Sequence, residues 1–218
     1  MWCDPRRGEA DPVTAVKNKK AISRETSLGA IKSASIKLFV DHGYSNFKVE
    51  DLAAACGFTK GAVYHYYRSK EDILFEIIED IERSILDEIR IDPSEGDATA
   101  RLIGFLNRHA QYAVQNPLEF CLLVVIAMEF SNSETRLGDK IRTVFDRLTG
   151  TIAGLVESGA ANGEFSPPLP SADFARVIVG CYNGNVVEWK RSRFDPMIGR
   201  ALVRGVRLMI LKSLQVKI

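Results

Sequence analysis

The chain has 218 residues, 46% of them hydrophobic, with 29 Lys/Arg against 28 Asp/Glu and a net charge of +1. That content of apolar residues buries a substantial core and excludes a disordered or collagen-like chain. No apolar run approaches the about 18 residues needed to cross a bilayer, and Asp4, Arg6, Arg7 and Glu9 stand where a secretory signal would place its apolar core, so no membrane partner and a cytoplasmic location are expected.

The four cysteines, Cys3, Cys56, Cys121 and Cys181, are scattered without metal-site spacing and fit a reducing compartment. The small net charge hides an asymmetry. Residues 17–70 hold ten Lys/Arg against four Asp/Glu, which leaves the remainder of the chain net negative. A basic front half points to a polyanion partner for that half alone.

Residues 1–21 contain two prolines, no apolar periodicity and a cluster at Lys17, Lys19 and Lys20, which predicts a flexible arm, either a solvated tail or a segment that touches phosphate. From Arg24 to about His42, Leu28, Ile31, Ser35, Leu38 and Phe39 share one helical face, and Gly43 is suited to end that helix. Val49, Leu52, Ala53 and Cys56 repeat at i, i+3, i+4 and i+7 and predict a second helix closed by Gly57. A third runs from about Lys60 to Tyr67, with Thr59 as its N-cap and Val63 and Tyr67 turned inward.

Two short helices joined at a glycine form a helix-turn-helix, and the second presents Thr59, Lys60, Gly61, Ala62, Tyr64 and His65 outward. Lys60 suits guanine or phosphate, Gly61 and Ala62 allow close approach, and a tyrosine hydroxyl reaches phosphate oxygen. Tyr66 fits either the groove or the core. Ser69 and Asp72 form a capping box for a fourth helix with isoleucine at 73, 77, 81, 85 and 89. Lys70 in its first turn opposes the helix dipole, which favours a phosphate nearby over a simple solvated lysine.

Here the sequence resembles the tetracycline-repressor (TetR) family of bacterial regulators. The resemblance covers about residues 24–75 and rests on LFVDHGY followed by VEDLAAACGFTKGAVYHYYRSKEDIL. It implies that Thr59 opens the recognition helix, that Lys60, Gly61 and Ala62 approach base edges, that Tyr64 and His65 contact groove or phosphate, and that Lys70 contacts phosphate. Phe47-Lys48 departs from the family's usual pair of hydroxyl residues. Lysine cannot cap the second helix, so either Asn46 caps it one turn earlier or the helix lacks about 0.5–2 kcal/mol of capping; Lys48 is then itself a candidate phosphate contact.

Breaks around 92–96, 116–117, 131–133, 167–168 and 195–196 predict five further helices, near 98–115, 117–130, 134–162, 171–191 and 196–215, with no β pattern. The segment 117–130 is apolar on nearly every face and must be surrounded. The resemblance implies a ligand cavity among the helices around it. Its candidate lining is Phe105, His109 and Tyr112, then Phe120, Cys121, Val124 and Met128, then Phe145 and Leu148, each of which also suits ordinary core packing.

His109 has no carboxylate or cysteine at i±3 or i±4, so neither a metal nor another cofactor is expected. The last two long helices carry more apolar surface than one outer layer leaves to water and predict a homodimer through them. Gly184 fits close helix contact across such a dimer, and the neighbouring Asn185 and Trp189 fit either that interface or a ligand.

The expected architecture is all-α: an arm (1–21), a three-helix helix-turn-helix domain (22–68) and a six-helix ligand-binding and dimerisation domain (69–218). With three histidines, two of them (His42, His65) in the DNA-binding unit, no catalytic constellation stands out. The expected function is a DNA-binding transcriptional repressor of palindromic double-stranded operators, released by a small, mostly apolar effector. An activator of the same fold, and a helical module without specific DNA binding, are the alternatives.

Overall fold

Apolar residues at helical spacing, punctuated by glycine and proline, wind into nine α-helices among the described residues. The computed structural model describes residues 12–88, 90, 96–130 and 132–216. In chain order the helices are α1 (Pro12–Asn46), α2 (Val49–Cys56), α3 (Lys60–Tyr66), α4 (Lys70–Glu88), α5 (Ala98–Gln115), α6 (Pro117–Glu129), α7 (Arg136–Ala161), α8 (Ser171–Arg191) and α9 (Pro196–Ser213). No single helix among the described residues is long and apolar enough to cross a membrane.

One boundary differs clearly from expectation. Residues 12–21, read from composition as part of the arm, are wound into α1. Proline at a first helical position loses no hydrogen bond, and no further proline interrupts the helix, so α1 starts twelve residues before Arg24, where its periodic pattern begins. The remainder of the expected arm, residues 1–11, lies outside the described residues.

The small N-terminal unit follows from its punctuation. Gly43 (φ 74, ψ 169) breaks α1 in a backbone region closed to side-chain-bearing residues, and a Cβ there would lie 2.6 Å from Glu129 Oε1. Gly57 ends α2 in the left-handed region (φ 68, ψ 28). Val49, Leu52, Val63 and Tyr67 are buried, and Phe47 stacks on Phe39 with ring centroids 4.0 Å apart. Lys48 sits at the N-cap of α2 in extended backbone with no side-chain cap, while the Asn46 amide donates back to the His42 carbonyl (3.1 Å). Of the two alternatives for this start, α2 therefore takes the uncapped one.

α4 joins this unit to the larger one. Ser69 Oγ accepts from the Asp72 backbone N–H (3.1 Å), the first half of the expected capping box, while the Asp72 carboxylate accepts from the Ser69 hydroxyl (2.9 Å). Ile73, Ile77, Ile81 and Ile85 are buried along one face of α4. Lys32 of α1 pairs with Glu76 and Asp80 on α4. α6 lies inside the bundle against α1, α5, α7 and α8, as its all-round apolar sequence requires. α7 and α8 pack along one another, with α9 against α8 and α5.

Candidate nucleic-acid interface and effector cavity

α3 is held from inside and exposed outside. Val63 and Tyr67 anchor it, and Thr59 Oγ1 accepts from the Ala62 backbone N–H at 3.1 Å, which caps the N-terminus and fixes its direction. Thr59, Lys60, Gly61, Tyr64 and His65 are exposed and Ala62 is half-buried. Lys60 lies 2.5 Å from Glu50 of α2 and 5.8 Å from the Tyr64 ring centroid. The Glu50 carboxylate holds the Lys60 ammonium above its ordinary pKa, and Lys60 lowers that of Glu50. Lys48 is exposed, and its charge acts on the same Glu50 carboxylate that Lys60 pairs with. Tyr66 is half-buried against the core, with its ring edge-on to His65.

Lys70 has a partner that its sequence position did not announce. Its ammonium donates to the Tyr44 carbonyl (2.8 Å) and lies 4.4 Å from the Tyr44 ring centroid. A cation in the first turn of α4 thus serves the carboxyl end of α1, where the dipole favours it.

Two adjoining cavities open in the helical bundle. One, of about 70 Å³, lies between α5, α8 and α9 and is lined by Ala113, Asn185, Trp189, Leu202, Val206 and Arg207, among others. The second, of about 30 Å³, is bounded by α4 through α8, with Glu82, Val124, Phe145 and Leu148 in its wall. His109, Phe120 and Tyr182 line both and so separate one from the other. His109 is 3% exposed, its Nε2 has no hydrogen-bond partner, and its ring lies 4.4 Å from Tyr182 and 5.1 Å from Phe120, centroid to centroid. Burial pushes its pKa down to about 4, so at neutral pH it is an uncharged imidazole.

The model of "Bacterial regulatory proteins, tetR family" matches residues 31–77, and that of "Tetracyclin repressor-like, C-terminal domain" matches residues 98–202. The chain belongs to the tetracycline-repressor family. It is similar to a fatty acid metabolism regulator protein of Bacillus subtilis, 22% identical over 160 residues that cover 73% of this chain and 81% of that one. It is likewise similar to the nucleoid occlusion factor SlmA of Vibrio cholerae, 28% identical and covering 81% of this chain and 88% of that one. Among solved structures, the MbdR regulator from Azoarcus sp. CIB superposes with a TM-score of 0.74 at 26% identity, over 88% of this chain and 99% of that one. As a member of this family the protein is a DNA-binding transcriptional regulator with an all-α, helix-turn-helix architecture.

Within this TetR frame, the predicted lining residues divide. His109 and Phe120 line both cavities, and Val124, Phe145 and Leu148 line the smaller. Phe105 and Cys121 are buried in the core but border neither cavity, and burial raises the Cys121 thiol to about 11. Tyr112 instead reaches a surface depression, where its hydroxyl donates to Glu119 (2.5 Å). Met128 corrects the reading directly: it is 75% exposed, on the outward side of a turn whose Ile126 is buried, and it lines neither cavity.

Sequence reasoning assigned no role to three polar contacts between units. Glu82 of α4, itself buried, accepts from Lys140 (2.6 Å) and Arg147 (2.8 Å) of α7 at the wall of the smaller cavity. Glu129 at the end of α6 accepts from the Tyr44 backbone N–H (2.7 Å), and Phe130 meets the Tyr44 ring edge-on at 5.1 Å. Lys190 of α8 reaches Asp41 at 3.4 Å. A glutamate ending an apolar helix was the only local hint of the second contact, since pairs 85 residues apart leave no mark in periodicity.

Proposed function

We propose that the protein is a homodimeric repressor of palindromic operators in the cytoplasm, released by a small, mostly apolar effector. The observation that carries this is the exposed face of α3, locked at Thr59 and presenting Lys60, Gly61, Tyr64 and His65, with the exposed Lys48 at the start of α2. In this reading Lys60, Gly61 and Ala62 approach base edges, and Lys48, Thr59, Tyr64 and His65 contact groove or phosphate. Lys70 orders the junction of α1 and α4 and reaches phosphate only by sharing its ammonium with the Tyr44 carbonyl.

The dimer forms through α8 and α9. Val177, Val187, Leu208 and Met209 are exposed on these helices, and a Cβ at Gly180, Gly184 or Gly205 would meet nothing within 4 Å in the protomer, so a second copy can approach there closely. Two recognition helices then address major-groove faces about 34–36 Å apart. Effector binding beside Phe120 shifts α6, which holds Tyr44 through Glu129, and disturbs α4 at Glu82. To move occupancy from 1:99 to 99:1 the effector must favour the released state by about 5.5 kcal/mol.

The direct test is binding of the purified protein to the region upstream of its own gene. Changing Lys60 and Tyr64 together to Ala should abolish specific binding, and undiminished binding would remove α3 as the reader. Similarity to a nucleoid occlusion factor favours a second reading, in which DNA binding serves chromosome organisation. Genome-wide binding sites spread along the chromosome away from promoters would select it over the repressor.

A further inference from the structure

We propose that the cavity between α5, α8 and α9 is the effector site, that His109 is its polar anchor, and that the effector is a small, flat aromatic molecule carrying one hydroxyl group. This rests on the effector-responsive reading above and specifies which cavity is used and what chemistry it recognises.

Size gives the first constraint. The cavity's inner part is about 70 Å³, room for no more than a single ring beside His109, and it shares Trp189, Gly199, Val203 and Arg207 with a wider opening of about 730 Å³ through which a ligand can enter. Shape gives the second: Phe120, Tyr182 and Trp189 provide ring surfaces, and planar ligands stack or meet edge-on with such rings.

The third constraint is His109. Its side chain is buried and borders the cavity, yet Nε2 has no partner. Leaving such an atom unpaired is costly in a protein interior, so a ligand that pairs it recovers that loss on binding. The ring faces of Phe105, Phe120 and Tyr182 around it offer a water too few polar partners to hold it well. Burial keeps the imidazole neutral at pH 7, so it pairs best with a neutral group. A hydroxyl both donates and accepts, and therefore pairs with either imidazole tautomer. A carboxylate would find no counter-charge at His109; the one cation in the lining, Arg207, donates to the neutral Asn107 amide (2.9 Å) and keeps its charge, so benzoate tests whether Arg207 rather than His109 anchors the ligand.

Phenol, toluene and benzoate separate these alternatives. Trp189 lines the cavity, and with Trp2 changed to Phe it is the sole tryptophan, so its fluorescence reports binding in the absence of DNA. Phenol should quench it saturably, toluene should bind at least about fivefold more weakly, and benzoate weakest of all. His109→Phe keeps a buried ring but removes Nε2. It should weaken phenol at least about fivefold and leave toluene unchanged. In the unmutated protein carrying 15N-labelled histidine, phenol but not toluene should shift the Nε2 resonance of His109, which tests the contact even where the variant fails to fold.

Equal losses for phenol and toluene in His109→Phe, benzoate binding tighter than phenol, or no saturable quenching by phenol would each overturn the proposal. Because the titration contains no DNA, failure of the repressor reading appears in operator binding alone and leaves this result distinct.

Discussion

Lys60 is tied to Glu50 in the unbound protein, and that pairing sets what each residue does to DNA binding. Lys60→Ala should weaken operator binding and reduce the slope of log affinity against log salt by about 1 if the ammonium reaches phosphate. Glu50→Gln should strengthen binding, because it frees Lys60 and removes a negative charge from the face that meets DNA. Titrations at two salt concentrations measure both. His109 makes a prediction in pH. Its folded-state pKa, about 4, lies below the ordinary 6.5, so the unfolded chain takes up the proton first as pH falls. Stability should therefore drop between about pH 6.5 and 4, by roughly 3 kcal/mol from this group, and not further below 4. Urea midpoints at pH 7 and 4.5 should move closer together in His109→Phe than in the parent.

At the level of elements, α4, α6 and α8 connect the cavities to the DNA-binding unit, α8 through Lys190 and Asp41 and the other two with one glutamate each. Glu82 bridges α4 to Lys140 and Arg147 on α7. Glu82→Gln keeps the shape but weakens both pairings, at a cost of about 1–3 kcal/mol of stability, and should loosen α4. Glu129→Gln leaves α6 in place but weakens the hold on the Tyr44 backbone. It should uncouple effector from operator, so that effector binding is retained while the effector shifts DNA affinity less than in the parent. Effector titrations with and without operator separate the two effects. If Glu129→Gln responds to effector as the parent does, the connection runs through α4 or α8 instead.

For the whole molecule, the decisive quantity is the separation of two recognition helices, which exists only in a dimer. Gly184 is exposed with open space where its Cβ would be, so Gly184→Leu should leave the protomer folded. Across a close α8 contact the same side chain would clash. Sedimentation of Gly184→Leu should show monomer at micromolar concentration, with operator affinity reduced by tenfold or more and circular dichroism unchanged. A variant that stays dimeric would move the interface elsewhere.

Local chemistry was enough for the sequence alone to determine the helical class, the turns at Gly43 and Gly57, the caps at Thr59 and Ser69 and the outward set on α3. Helix periodicity, capping and glycine's positive φ act within a few residues and so are written in the order of the chain. The same locality misled at Pro12, where composition suggested an arm but nothing stops the helix, and at Met128, whose apolar character says nothing about which side of α6 faces outward. Only the tertiary structure decided that Lys70 serves the Tyr44 carbonyl, that Glu82 and Glu129 join the two units, and that His109 divides two cavities with its Nε2 unpaired. These depend on helices far apart in sequence meeting at particular angles, and burial and pairing at such crossings arise from the packed bundle as a whole.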